Sequence, residues 1–373
     1  MKKKWLALCL LALPGAGLLA GNVGEISYLM DRATISRDGK TWAASFGSGV
    51  ENYDTIRTDA RGLAEIGVLP ETGVDGLVRV QPKTTLYLDV STLRGGSKAR
   101  VELLSGSVSA TVKKLAGRSD FTIRSQGVAM GVRGTSFSVT ASASGDLLTT
   151  CSDGEVLCTD ENGARLTAKP GTAVEKTAEG LYRSIPVRVS DLESFRRNWN
   201  AEKIEALKSN AGPAIRDYAR RYQDLKTGFD EAYRDLLARR EILDKWYRED
   251  ARNGTGTRIE TMREKSALMP ALMKIRGTLF LFERVYYRLL ELRDYHGQGY
   301  GAGFVGEGVD ADLFFRRLET ESRDLENRME TIRYVLKLYA KRNDGVSLFD
   351  DLLGGGGPAG DGKSDEDSFF GTE

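Results

Sequence analysis

Arg133 is the side chain whose setting most suggests recognition chemistry. It stands between Gly131 and Gly134 with Thr135 next in line, and a guanidinium displayed beside glycines can grip a carboxylate or phosphate through two parallel hydrogen bonds. The same group could equally tie a turn by bonding backbone carbonyls or Asp54. Trp42 and Tyr53 could stack on a sugar ring or fill a core. Cys151 and Cys158 flank Asp153-Gly154, a two-residue hairpin signal. A two-residue turn would leave the two sulfurs diagonal, with partners roughly 7–8 Å apart, whereas a four-residue loop would set them opposite. A disulfide and a pair of buried thiols both stay open.

Catalytic sets are scarce. The chain has one histidine, His296, in a glycine-rich stretch that reads as a solvated loop, where a general base would lack a positioned partner. Phosphate-cradling Gly-x-x-x-x-Gly-Lys loops and zinc-ligand spacings are missing from the sequence, so no cofactor and no metal are expected. Paired carboxylates for glycoside cleavage stay possible, because 53 acids supply chance pairs everywhere.

Those residues need elements to hold them. From Asn22 to about Tyr182, short runs alternate apolar and polar residues between Gly, Asp, Asn and Pro, which predicts strands. They are Val23–Tyr28, Ala33–Arg37, Thr55–Thr58, Leu63–Val68, Leu77–Val80, Leu86–Val90, Val101–Leu104, Val108–Val112, Phe121–Arg124, Phe137–Thr140, Leu147–Cys151, Val156–Thr159 and Arg165–Ala168. Regular spacing without helical periods argues for a sandwich, barrel or β-solenoid. Gly131-x-x-Gly134 reads as a sharp corner between two of the strands.

The order of several pieces resembles the FecR domain, a bacterial envelope module. Val132-Arg133-Gly134-Thr135-x-Phe137 is similar to that family's signature. Gly49 followed by Asp54-x-Ile56-x-Thr58, then Leu63-Ala64-Glu65-Ile66, Val80-Gln81-Pro82-x-Thr84-x-Leu86, and Asp153-Gly154-Glu155-Val156 resemble other family elements. Leu104-x-Gly106-x-Val108 is one residue shorter than the corresponding family element. The resemblance implies a twisted β-roll or β-solenoid over residues 22–182, in the periplasm and without catalytic residues. In the family's signalling members such a domain follows a cytoplasmic anti-sigma segment and a membrane span. Here the β region starts straight after a leader, so a stand-alone secreted form is expected.

That leader is read from Lys2-Lys3-Lys4, the apolar run Trp5 to Leu13 and the small residues up to Ala20, the pattern of a signal peptide over residues 1–20. Removing its three lysines takes the formal charge from +1 to −2, which leaves no basic field for nucleic acid. No later stretch is apolar and long enough for a stable membrane span.

Residues 183–190 read as a linker. Residues 191–345 then carry apolar residues in steps of three and four, which predicts an all-α helical bundle. Three amphipathic helices are expected, with Gly212-Pro213 breaking the first, Thr257 capping the second and Asp310 the third. Long antiparallel helices with near-heptad, coiled-coil-like spacing follow from their lengths. Residues 354–373, glycine-rich and acidic with Phe369-Phe370, read as a disordered tail.

The expectation is therefore a two-domain, non-enzymatic, periplasmic or secreted interaction or scaffold protein. Its β domain and helical bundle would each dock a partner, an envelope protein in the first place. Binding of cell-wall glycan or another polysaccharide is the alternative. A FecR-type signalling role or a carbohydrate-active enzyme ranks lower.

Overall fold

A computed structural model describes residues 21–348 apart from 94–95, 116–118, 133 and 307. The expected signal peptide (1–20) and acidic tail (354–373) lie outside the described residues, as does Arg133.

The alternating patterns become strands with one buried face and one more open face. In Leu63–Val68, Ala64, Ile66 and Val68 are buried while their neighbours are half-exposed. All thirteen expected runs lie within strands, and further strands add to them, among them Lys40–Ala43, Val128–Val132 and Thr172–Lys176. The pairings separate into two sheets. The first runs Gly49–Glu51, Asn22–Met30, Leu63–Val68, Gly76–Val80, Gly96–Val112, Thr135–Ala141, Leu147–Asp153, Thr172–Lys176, Tyr182–Pro186. The second runs Lys40–Ala43, Ala33–Arg37, Thr55–Thr58, Thr85–Leu93, Gly96–Val112, Asp120–Ser125, Val128–Val132, Val156–Asp160, Arg165–Ala168. The chain thus alternates between sheets while advancing steadily along both.

Only Gly96–Val112 belongs to both sheets. Its first half pairs with Thr85–Leu93 and its second half with Gly76–Val80 and Thr135–Ala141. The change of sheet falls at Gly106, whose φ is 86°. A Cβ there would stand 2.4 Å from Thr84 Oγ1 and 2.6 Å from the Lys83 carbonyl oxygen. Glycine is needed at that corner for both reasons. The apolar core that includes Ile26, Ile56, Ile66, Val101, Val108, Ile123 and Val139 unites residues of both sheets.

Two local expectations change. Asp153-Gly154 does not close a hairpin. Leu147–Asp153 is in the first sheet and Val156–Asp160 in the second, and Gly154 (φ 79°) turns the chain from one to the other. The span 183–190 is not a plain linker either. Tyr182–Pro186 is the last strand of the first sheet, and Pro186 is tolerated there because an edge strand has one side free of pairing.

Among the described residues the C-terminal region contains five α-helices where three were expected. They are α1 (Leu192–Ser209), α2 (Ala211–Leu237), α3 (Arg240–Asp250), α4 (Arg258–Gly297) and α5 (Ala311–Lys341). The α1–α2 break falls at Asn210, because Pro213 sits in the first turn of α2, where its missing N–H costs nothing. Thr257 accepts the Glu260 N–H at 3.4 Å and Asp310 the Leu313 N–H at 2.7 Å, so both expected caps are present. The break after Leu237 has no glycine or proline to announce it.

The helices do not stand apart from the β region. Tyr53, Tyr87, Leu104 and Ala143 belong to the helical core, not to the core between the sheets. Arg333 of α5 forms a buried ion pair with Glu283 of α4, donates to Thr55 Oγ1 at 2.8 Å, and lies 5.4 Å from the Tyr87 ring centroid. Around it, Arg57 donates to Glu326 Oε1 at 3.0 Å, the Gly39 N–H to Glu330 at 3.0 Å and the Ser347 N–H to Ser91 Oγ at 3.0 Å. Among the described residues no helix is long and apolar enough to cross a membrane.

Gly106→Ala should lower stability by about 2–3 kcal/mol, since it adds both a strained φ and a steric clash. A shift of the urea midpoint checks this. Arg333→Leu should cost about 3–5 kcal/mol by leaving the Glu283 carboxyl buried without its partner, and a Glu283→Leu/Arg333→Leu double variant should recover most of that loss. A double-mutant cycle by equilibrium unfolding measures the difference.

Candidate functional site

A cleft of about 500 Å³ opens where the second sheet, α1 and α4 converge. The sheet supplies Arg57, Asp59 and Lys83, α1 supplies Ile204 and Lys208, and α4 supplies Tyr287, Leu290, Glu291 and Arg293. Each position follows from its element. Arg57 is the outward residue between Ile56 and Thr58, which are buried. Lys83 sits at the turn into Thr85–Leu93 with φ 55°. Tyr287, Leu290 and Asp294 recur at helical spacing on α4.

Part of the charge in the cleft is already paired. Arg57 meets Glu326 and lies 5.7 Å from the Tyr287 ring centroid. Glu291 is paired with Arg288, a buried residue, and burial raises its carboxyl above the ordinary range against that pairing. Lys208 meets Glu205 at 2.7 Å. Among the described residues no carboxylate lies within ion-pair distance of Lys83. Both charge signs, two tyrosines and an aliphatic patch suit a polypeptide segment better than a small ion.

The sequence-derived candidates lie elsewhere. Trp42 is on the exposed edge strand Lys40–Ala43, 5.3 Å from the Arg37 guanidinium. Tyr53 is buried in the helical core, its ring centroid 6.0 Å from that of Tyr87. Thr135 is buried at the corner after Gly134, donating to the Glu155 carbonyl at 3.2 Å. None of these three lines the cleft. Asp54 is held by Arg37, which donates from Nε at 2.8 Å and from Nη2 at 2.6 Å. Cys151 and Cys158 are buried, unbonded thiols. Burial pushes them up to about 11 and about 12, well away from reactivity. His296 is in the last turn of α4 and not in a loop; its Nε2 lies 3.0 Å from Asp312 Oδ1.

Sequence reasoning missed Arg37, Glu283 and Arg333. A usable signal existed for the last two: each interrupts the apolar stripe of a long helix, beside Phe282 and beside Ile332. Among the described residues no cluster of His, Cys, Asp and Glu is arranged to hold a metal ion.

Glu102, on the helix-facing side of Gly96–Val112, is buried with Arg124 Nη1 3.9 Å away. Burial pushes its carboxyl up to about 7, against the pull of Arg124 and Arg100. The folded state therefore holds this proton more tightly than the unfolded chain. The stability it contributes is present below the unfolded value near 4.5 and is lost as pH rises through about 7. Glu102→Gln should match the wild type at pH 5 and exceed it by about 2–3 kcal/mol at pH 8. Urea unfolding at the two pH values checks it.

Comparison with known proteins agrees with the strand pattern. Residues 54–157 match the family model described as FecR protein. The match begins at Asp54, past Gly49, and ends just past Val156 of the last motif piece. No curated protein matches the chain in sequence. Two crystal structures of a candidate anti-sigma factor from Parabacteroides distasonis ATCC 8503 are similar at 14% identity and a TM-score of 0.32. The likeness covers 38% of this chain and 63% of that one, so it spans less than two thirds of the solved chain. A score that low carries no argument about function. The chain carries a FecR domain at residues 54–157.

Proposed function

We propose that this protein is a non-enzymatic, FecR-type interaction protein of the cell envelope, acting as one body and binding a partner polypeptide at the cleft between its two regions. One observation carries the reading. The family element Asp54-x-Ile56-x-Thr58 turns its outward side chains to the helices, Thr55 accepting from Arg333 and Arg57 donating to Glu326. The helices of this chain thus occupy the face of the sheet that an external partner would otherwise use. A partner is left the rim of that contact, where the charged and aromatic cleft lies.

Two independent docking surfaces fit less well, because separating them would expose the Arg333–Glu283 pair and Tyr87. A regulatory role agrees with the FecR domain. A periplasmic location rests on the leader pattern of residues 1–20.

The test places a photo-crosslinking amino acid at Ala60 or Gln298 in the cleft, or at Arg252 far along the helices, in cells expressing the full chain. The expected result is one defined protein adduct from the cleft positions, absent from Arg252, in the envelope fraction. Equal adducts from all three positions, none from any, or recovery of the protein in the cytoplasm would each overturn the reading.

A further inference from the structure

On the other sheet, away from the cleft, the strands Gly96–Val112, Thr135–Ala141 and Leu147–Asp153 carry a row of hydroxyls under the start of α1, with Ser138 and Thr150 buried, Ser109 half-buried, and Ser109 Oγ 2.8 Å from Ser138 Oγ. Ser109, Ser138 and Thr150 stand abreast on the three strands, and Thr111 pairs with Ser136 one step along. The first turns of α1 cross this face and leave a groove of about 380 Å³, walled by Leu192, Glu193 and Arg196. Arg196 donates to Ser138 Oγ.

Arg196 differs from the other partly buried guanidiniums. Arg37, Arg57, Arg328, Arg333 and Arg342 each meet a carboxylate. Arg196 has none within ion-pair distance among the described residues, for Glu193 beside it is 75% exposed and turned to Arg197 at 2.8 Å. Burial pulls the guanidinium down from its ordinary value, with Glu193 opposing only in part. A cation withdrawn from water without a counter-charge is an unfavourable arrangement that an incoming anion would relieve.

We propose that this groove binds a carboxylate-bearing oligosaccharide, with Arg196 holding the carboxylate and the less buried hydroxyls of Ser109, Thr111 and Ser136 meeting those of the sugar. Thr135–Ala141 and the second half of Gly96–Val112 are paired on both sides, so a peptide finds no backbone edge to extend on these two strands. What the floor offers is hydroxyls on strands about 4.8 Å apart, each both donor and acceptor, a spacing close to the width of a sugar ring. The groove has room for a short oligosaccharide segment. This site is separate from the cleft and does not depend on a protein partner there.

Calorimetric titration of the full chain with galacturonate, glucuronate and mannuronate trimers tests it. Their methyl esters and triglutamate serve as probes of charge and of scaffold. At least one acidic trimer should bind, and esterification should weaken it more than tenfold. Arg196→Gln should weaken it as much with an unchanged melting temperature, and Arg196→Lys should restore part of the loss. Ser109→Val, which lies on the floor and not on α1, should also weaken the sugar. No binding by any acidic trimer, triglutamate binding as tightly, or full binding by Arg196→Gln would each overturn the proposal.

Discussion

The buried Arg333–Glu283 pair is the constraint on which the union of the two regions depends. It lies where α4, α5 and the outer face of the second sheet meet, and one guanidinium serves all three by bonding Glu283 and Thr55 while covering the Tyr87 ring. An ion pair of this kind adds little net stability over apolar residues of equal volume. What it supplies is position. A guanidinium that must find both Glu283 and Thr55 allows one placement of the helices on the sheet, whereas the greasy contacts of Tyr53 and Leu104 alone would tolerate sliding.

That placement sets which surfaces remain available. A strand with both faces covered cannot present a face to another molecule, so where Tyr87 and Leu104 pack under the helices the second sheet is occupied by its own chain. The first sheet keeps part of its outer face beside α1, which crosses it. Trp199 anchors α1 there by donating to Glu175 Oε1 at 2.7 Å, and Lys203 reaches Asp146 and Glu175 at 3.2 Å. The cleft and the hydroxyl groove are thus both products of how helices cover sheets, one at a seam and one beside a crossing helix.

Much of the fold could be read from residue order, because strand alternation and helix caps are local. Ala64, Ile66 and Val68 reveal their strand without knowledge of any neighbour, and Thr257 and Asp310 reveal helix starts by their own side-chain chemistry. The corner at Gly134 was legible too, since its φ of 77° is a glycine conformation. Asp153-Gly154 misled because the same dipeptide that closes a hairpin also serves a turn between sheets. Which of the two it makes depends on whether the flanking strands find each other or other partners.

The candidate sites were less legible for the same reason. The sequence by itself determined the FecR-like strand series, the switch to helical periodicity near residue 191 and the absence of common catalytic motifs, all matters of short-range pattern. Only the tertiary structure decided that Asp54 belongs to Arg37, that Tyr53 lies under helices more than a hundred residues away in sequence, and that Arg196 is left without a carboxylate. Ion pairs join residues by distance in space and not by separation along the chain, and with acids and bases almost equal in number a sequence allows far more pairings than a fold can keep.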